Sequence, residues 1–336
     1  MYLLALVWCT LGGHSSWERS TQLRTLDSST SISTLKKRYF FVTVHERQRV
    51  WPDATIRYCF ESPQTKEKVL YTLERARDLW YQEGLPEAQF KLIEVSDAEC
   101  SNNRANVLLI KFNDQGRLST TQGIPAVNAN DPTDKGPTMN LSDRTDVGML
   151  DVVANYAHEL GHAWGLLHEH QNPAFWTSPY SSSGFGGGFH FDCRNLKDYA
   201  EVAGRLAADD MDSACKFQKF AAAAKFSASE YLPLLGADGT GEGVLAEPDL
   251  KSLMIYPSGA GAVGPASPGN DGRADVLLTS DGNKILPNLK PTTRDIQGLL
   301  KLYETAGDNT HPTLLNQPES SKSNNFKDLF KKKRCL

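Results

Sequence analysis

Residues 158–170 read HELGHAWGLLHEH, and half of the chain's 8 histidines fall within this one stretch. On a helix, His158 and His162 stand one turn apart on the same face, so both imidazoles can meet a single ion. Glu159 follows the first of them, placed near such an ion without being forced to bind it, where a carboxylate can take a proton from water. Two histidines do not complete a site, because catalytic zinc takes three protein ligands and keeps one position open. Gly165 and His168 supply what is missing. Glycine tolerates positive φ, so the helix can end there and the chain can turn sharply. His168 then comes back as third ligand, whereas a continuous helix would carry it about 15 Å along the axis from His158. A bare HExxH arises by chance in about one chain in a hundred, and the fixed glycine and third histidine make an accident of composition rarer by a factor of roughly five hundred. Three imidazoles with an open position suit Zn2+, one ion, better than magnesium or calcium, which prefer oxygen.

The same residues carry a resemblance. HELGHAWGLLH fits the HExxHxxGxxH signature of the metzincin zinc endopeptidases, and Glu169 extends it to a form that resembles the astacin family. Residues 252–256, SLMIY, resemble that family's Met-turn; WPDATIRY (51–58) resembles its opening strand, and TTRDIQGLLKLYE (292–304) its last helix. The resemblance spans roughly residues 50–305. It implies that Met254 lies beneath the metal, and that Tyr256 binds zinc at rest and swings to stabilise the oxyanion. It further implies that Glu159 is the general base and later the proton donor to the leaving amine. Glu169 is implied to pair with the mature N-terminus; a solvated surface carboxylate is the alternative. Leu166, Ile255, the run HQNPAFW after Glu169 and the long interval from His168 to Met254 depart from the family pattern and mark a divergent branch.

The fold expected is α+β, of the metzincin two-subdomain type. A twisted mixed sheet and the active-site helix would form the N-terminal half, and an irregular C-terminal half would end in a helix. Thr55–Phe60 is rich in β-branched and aromatic residues, as strands are. Val69, Leu73, Ala76 and Trp80 recur at helical spacing before the stop signals Gly84 and Pro86. Strand-like runs follow at 90–95 and 107–112, with two shorter ones in STTQGIPAV (119–127) and PTMNLS (137–142). The first of these short runs is the candidate edge strand for a bound peptide. Asn140 within the second is a formal glycosylation acceptor. The Ala-rich stretch 195–226 reads as helical, and Ile296, Leu299, Leu300 and Tyr303 read as one face of a closing helix that follows a Thr/Asp start signal at Thr292 and Asp295.

A length of 336 residues with 40% hydrophobic and 23% charged residues is that of a globular protein able to bury a substantial core. A net charge of −4 without a dominant block gives a nucleic-acid partner no footing. No apolar run is long enough to insert stably in a membrane. The expected partners are protein or peptide substrates, with oligomeric state left open. Tyr2 to Cys9 fits the apolar core of a secretory signal, lacking the basic residue before it and a clear cleavage site after it. Residues 1–44 then read as signal and pro-segment, with Lys36-Lys37-Arg38 a candidate processing site. The catalytic domain would occupy 45–306, divided at about 168, and 307–336 a polar tail. Secretion agrees with cysteine pairs in reach of each other, Cys193 with Cys215 and Cys59 with Cys100, although reduced thiols remain the alternative. SPYSSSGFGGGFHF (178–191) reads as a Gly-rich loop; its His190 is not expected to bind metal, and His170 is a surplus histidine expected at the surface. The rival to a zinc endopeptidase is a catalytically inactive, zinc-containing peptide-binding protein of the same fold.

Overall fold

The computed structural model describes residues 48–127, 136–177, 180, 188–234 and 247–310. The signal and pro-segment, Lys36-Lys37-Arg38, Cys9, most of the Gly-rich loop, and the tail with Cys335 lie outside the described residues. In chain order the elements are β1 (Gln48–Arg49), β2 (Thr55–Phe60), α1 (Pro63–Gln82), β3 (Lys91–Glu94), α2 (Asp97–Asn102), β4 (Leu108–Phe112), β5 (Ser119–Thr120), β6 (Ile124–Pro125), β7 (Thr138–Leu141) and α3 (Val152–Trp164). Then come β8 (Phe189–Phe191), α4 (Tyr199–Ala203), α5 (Ala208–Ala214), α6 (Gln218–Ala223), β9 (Ala266–Ser267), β10 (Asn270–Asp271), β11 (Leu277–Thr279) and α7 (Thr293–Thr310).

The N-terminal half is built on a mixed five-stranded sheet of order β3-β2-β4-β7-β5. Its first four strands run parallel, and β5 closes the edge antiparallel to β7. Parallel neighbours need a crossover, which α1 supplies between β2 and β3. Ser62 caps α1 by accepting from the Thr65 amide, and Pro63 occupies the first turn, where its missing N–H costs nothing. The stripe Val69, Leu73, Ala76 and Trp80 is fully buried, as its spacing predicts. It faces α3, where the Trp80 indole donates to Ala157 O at 2.9 Å and its ring meets Trp164 edge-on at 5.9 Å.

Asp151 caps α3 through the Ala154 amide, and every residue from Ala154 to Trp164 is buried. A helix covered on all sides needs partners on all sides. Trp51 donates to Ala163 O at 2.7 Å, Tyr303 of α7 to Trp164 O at 3.1 Å, and the 252–256 turn fills the flank beside Gly161. One apolar cluster therefore joins α1, α3, α7 and the sheet.

A second cluster forms the C-terminal half around Trp176, Phe226, Tyr231, Ile255 and Leu277. This half is irregular as expected, with two-stranded ribbons β8–β11 and β9–β10 and the closing helix α7. The Ala-rich stretch is three short helices rather than one, because the chain turns after Ala203 and after Ala214, and Lys225 beyond α6 takes a φ of 53°. Cysteines pair as Cys59–Cys100, tying β2 to α2, and as Cys193–Cys215, tying the turn after β8 to the end of α5. No helix among the described residues is long and apolar enough to cross a membrane.

Candidate metal centre

Helix α3 presents His158 and His162 one turn apart, then stops at Gly165, whose φ is 110°. The Gly165 amide returns to His162 O at 2.8 Å and the Leu166 amide to Gly161 O at 2.9 Å, a left-handed cap that satisfies the last carbonyls. The reversal delivers His168. The three Nε2 nitrogens then lie 3.1 Å (His158–His162), 2.9 Å (His162–His168) and 3.2 Å (His158–His168) apart, a grouping that could hold a metal ion. All three rings are at least 95% buried by accessible surface, at 5%, 4% and 3% exposure.

Tautomers follow from the opposite side of each ring. Nδ1 of His158 meets Leu253 O at 2.8 Å, that of His162 meets Leu166 O at 2.8 Å, and that of His168 meets Gln171 Oε1 at 2.9 Å. Carbonyl oxygens only accept, so each Nδ1 carries the proton and each Nε2 points a lone pair inward. Three buried lone pairs converge with no proton between them. A cation resolves that arrangement, and a tetrahedral zinc with Zn–N of about 2.0–2.1 Å has N···N edges of about 3.3 Å, close to those found. Burial pushes the His158 pKa down to about 4; burial with the neighbouring histidines pushes that of His162 down to about 3 and lowers His168 well below its ordinary value. Neutral imidazoles are what a metal needs.

Glu159 is 4% exposed, and its Oε2 finds no hydrogen-bond partner among the described residues. Desolvation pushes its pKa up to about 8, opposed by the Thr120 hydroxyl and helped by the Glu230 carboxylate. Thr120 belongs to the edge strand β5, so STTQGIPAV does run along the site, and the Gly123 amide donates to His162 O at 3.0 Å. Asn140, on β7, spends its side-chain amide on Ser119 Oγ at 2.9 Å.

The turn 252–256 lies under and beside the triad. Met254 is 2% exposed and packs its sulfur against Gly161, while its carbonyl accepts from the Glu169 amide at 2.9 Å. The Tyr256 ring is 5.7 Å from His158 and 4.3 Å from His168, and burial raises its pKa well above the ordinary value. Asp295, at the start of α7, fixes this turn from below. It accepts from Ser252 Oγ at 2.6 Å, Leu253 N at 3.0 Å and Thr292 N at 2.8 Å. Its own amide returns to Thr292 Oγ1 at 3.2 Å, so one residue caps α7 and holds the turn that orients His158.

Two sequence expectations are corrected. Glu169 is not a solvated charge: it is 9% exposed, Oε1 accepts from the Asp249 amide at 3.0 Å, and desolvation pushes its pKa up to about 8. The N-terminal partner implied for it lies outside the described residues. His170 is not at the surface: its exposure is 0%. Its ring stacks on His168 at 5.1 Å, its Nε2 donates to Glu230 O at 2.9 Å, and its Nδ1 accepts from the Tyr256 amide at 3.3 Å. With both nitrogens committed to backbone it is no fourth ligand. His190 lies apart on β8, bonded to Ser280 O at 2.9 Å. Sequence reasoning assigned no role to Gln171 and read Asp295 only as a helix-start signal. Gln171 sits three residues after His168, a spacing that offered a local hydrogen-bond partner for a ligand ring.

No family model matches the chain, and no curated protein matches it in sequence. Among solved structures it is similar to high choriolytic enzyme 1, described as a hatching-enzyme zinc protease from the medaka Oryzias latipes. Identity is 14%, 77% of this chain and 94% of that chain are covered, and the TM-score is 0.42. It is also similar to myroilysin, at 16% identity, with 75% and 81% covered and a TM-score of 0.39. Likenesses this distant carry no activity across, so the chemistry below rests on the side chains of this chain.

Proposed function

We propose that this protein is a secreted zinc-dependent endopeptidase that hydrolyses peptide bonds by direct attack of water. The observation that carries the reading is the convergence of three inward lone pairs beside a buried carboxylate oxygen that has no other partner. His158, His162 and His168 would hold the metal. When bound, zinc polarises a carbonyl and lowers the pKa of water.

The chain's own residues do the rest. Leu253 O, Leu166 O and Gln171 fix the three imidazole orientations. Glu159 takes the proton of the attacking water and passes it to the leaving amine; its burial makes it a poor ion alone and a better one beside a cation. Tyr256 donates its hydroxyl to the oxyanion of the tetrahedral intermediate, a role that its high pKa suits because the proton stays on the ring oxygen. The edge strand β5, running beside Glu159, supports an extended peptide as the substrate. Two disulfides favour an oxidising compartment.

Wild type and Glu159→Gln are compared for zinc content and casein digestion. Equal zinc with proteolysis reduced at least about a hundredfold in the variant supports the mechanism. A zinc-loaded wild type that digests no casein or peptide would leave the inactive binding protein as the better account.

A further inference from the structure

The segment 227–232 runs beside the triad and is fastened to it through its backbone. Gln171, whose Oε1 accepts from His168, donates from Nε2 to Ser229 O at 2.9 Å and to Leu232 O at 3.0 Å. His170, stacked on His168, donates to Glu230 O at 2.9 Å. Tyr231 then packs edge-on against Tyr256 with ring centres 5.3 Å apart and hydrogen-bonds to Ala260 O. Three carbonyls of one short turn are thus held by the two residues that follow Glu169, next to a metal-ligand histidine. A turn held so firmly gives its one charged side chain a fixed origin.

That side chain is Glu230. It is exposed to solvent, its carboxylate accepts from Ser229 Oγ within its own turn at 3.2 Å, and no ion pair among the described residues includes it. Surrounding protein nevertheless raises its pKa by desolvation, and its charge reaches both Glu159 and Tyr256. His170 joins the Glu230 carbonyl to the Tyr256 amide, and the neighbouring Tyr231 ring packs on Tyr256, so the exposed Glu230 side chain starts from the border of the site that contains Glu159 and Tyr256. A carboxylate there adds its negative charge to that of Glu159 and forms no ion pair among the described residues. An arriving positive charge relieves both defects.

We propose that Glu230 is the specificity-determining residue of this cleft, selecting peptides that carry a lysine or arginine side chain next to the scissile bond. The inference rests on the peptidase reading above. The positive charge would meet a carboxylate already fixed in place, so little ordering entropy opposes the pairing.

The test uses one peptide scaffold in which a single position flanking the cleaved bond is lysine, arginine, norleucine, glutamine or glutamate. Wild type should show kcat/KM about tenfold higher for lysine than for norleucine, with the ratio shrinking as salt is raised. Glu230→Gln should bring the ratio close to one, and Glu230→Lys should turn it in favour of glutamate. Equal rates for lysine and norleucine in wild type, or a ratio that Glu230→Gln leaves unchanged, overturn the inference. A binding arm separates the two readings: zinc-loaded Glu159→Gln is titrated with the same labelled peptides by fluorescence anisotropy. Tighter binding of the lysine peptide with no cleavage by wild type would overturn the peptidase reading and support charge selection. Equal binding of all peptides would overturn charge selection.

Discussion

The sulfur of Met254 packs into the space that a side chain on Gly161 would occupy: a Cβ there would stand 2.5 Å from Sδ, 3.1 Å from the methionine methyl and 3.1 Å from Cζ2 of Trp80. Gly161 is the residue immediately before His162, inside α3, where glycine costs a helix about 1 kcal/mol relative to alanine. The turn beside the histidine triad therefore reaches the helix only because this position lacks a side chain. Packing, not helix propensity, decides the residue.

The first prediction follows from that competition. Gly161→Ala gains the helix preference of about 1 kcal/mol but overpacks a buried contact at about 1–3 kcal/mol, so it destabilises on balance. In a Met254→Ala background the main clash is gone, and the same substitution should become neutral or stabilising. Thermal melts of the four proteins in the cycle measure the change of sign; additive effects would show that Met254 does not set the requirement.

Gly165→Ala should act on the metal more than on the fold. A φ of 110° strains an L-residue by about 1–2 kcal/mol. Relief of that strain moves the Leu166 carbonyl, which holds His162 Nδ1 at 2.8 Å. Loss of such outer support typically weakens metal binding by about tenfold to a hundredfold. Competition with a zinc-chelating dye gives the number, and an unchanged affinity would mean that the cap is not what orients His162.

How far these relationships were legible in the sequence depended on how local they are. His158, Glu159, His162, Gly165 and His168 were legible because their spacing is set by one helix and one cap, and the α1 stripe because Val69 through Trp80 repeat at helical period. Edge strand β5 was legible as a short β-branched run beside a glycine. The burial of His170 was not, since it is covered by Tyr231 and Tyr256, which lie 61 and 86 residues away. Asp295 illustrates the same limit. Its capping role could be read from Thr292, three residues earlier, but its hold on Ser252 and Leu253 joins positions 43 and 42 residues apart. The breaks between α4, α5 and α6 were hidden because alanine-rich composition favours helix throughout and says little about where short helices stop.

His170 offers a prediction that separates orientation from metal binding. Its Nδ1 accepts from the Tyr256 amide and its Nε2 donates to Glu230 O, so His170→Ala releases both walls of the cleft while leaving the ligand set complete. Zinc content should hold, and kcat on a neutral peptide should fall about tenfold or more. His170→Gln, which keeps one donor and one acceptor, should recover part of the loss. Zinc loss in proportion to activity would instead make His170 a support of the ligands.

Asp295 carries the pH prediction. Burial pushes its pKa up to about 6 from 3.8, against the pull of Ser252, Thr292 N and Leu253 N. A carboxyl whose pKa is raised on folding binds its proton more tightly in the folded state. Its contribution to stability is therefore complete below about pH 4 and is lost as pH rises through about 6. The span corresponds to about 3 kcal/mol at 1.36 kcal/mol per pH unit. Asp295→Asn cannot ionise and still presents an oxygen to the two amides. The buried histidines produce the opposite slope, since their lowered pKa values make the folded state bind fewer protons than the unfolded one between about pH 4 and 6.5. That slope is common to both proteins and cancels in their difference. Urea unfolding of metal-free wild type and Asp295→Asn at pH 4.5 and pH 7 should show wild type losing stability relative to the variant as pH rises. A difference that is flat with pH, or that grows in favour of wild type, would mean that the three hydrogen bonds outweigh burial and that Asp295 holds the Ser252–Tyr256 turn as an ion.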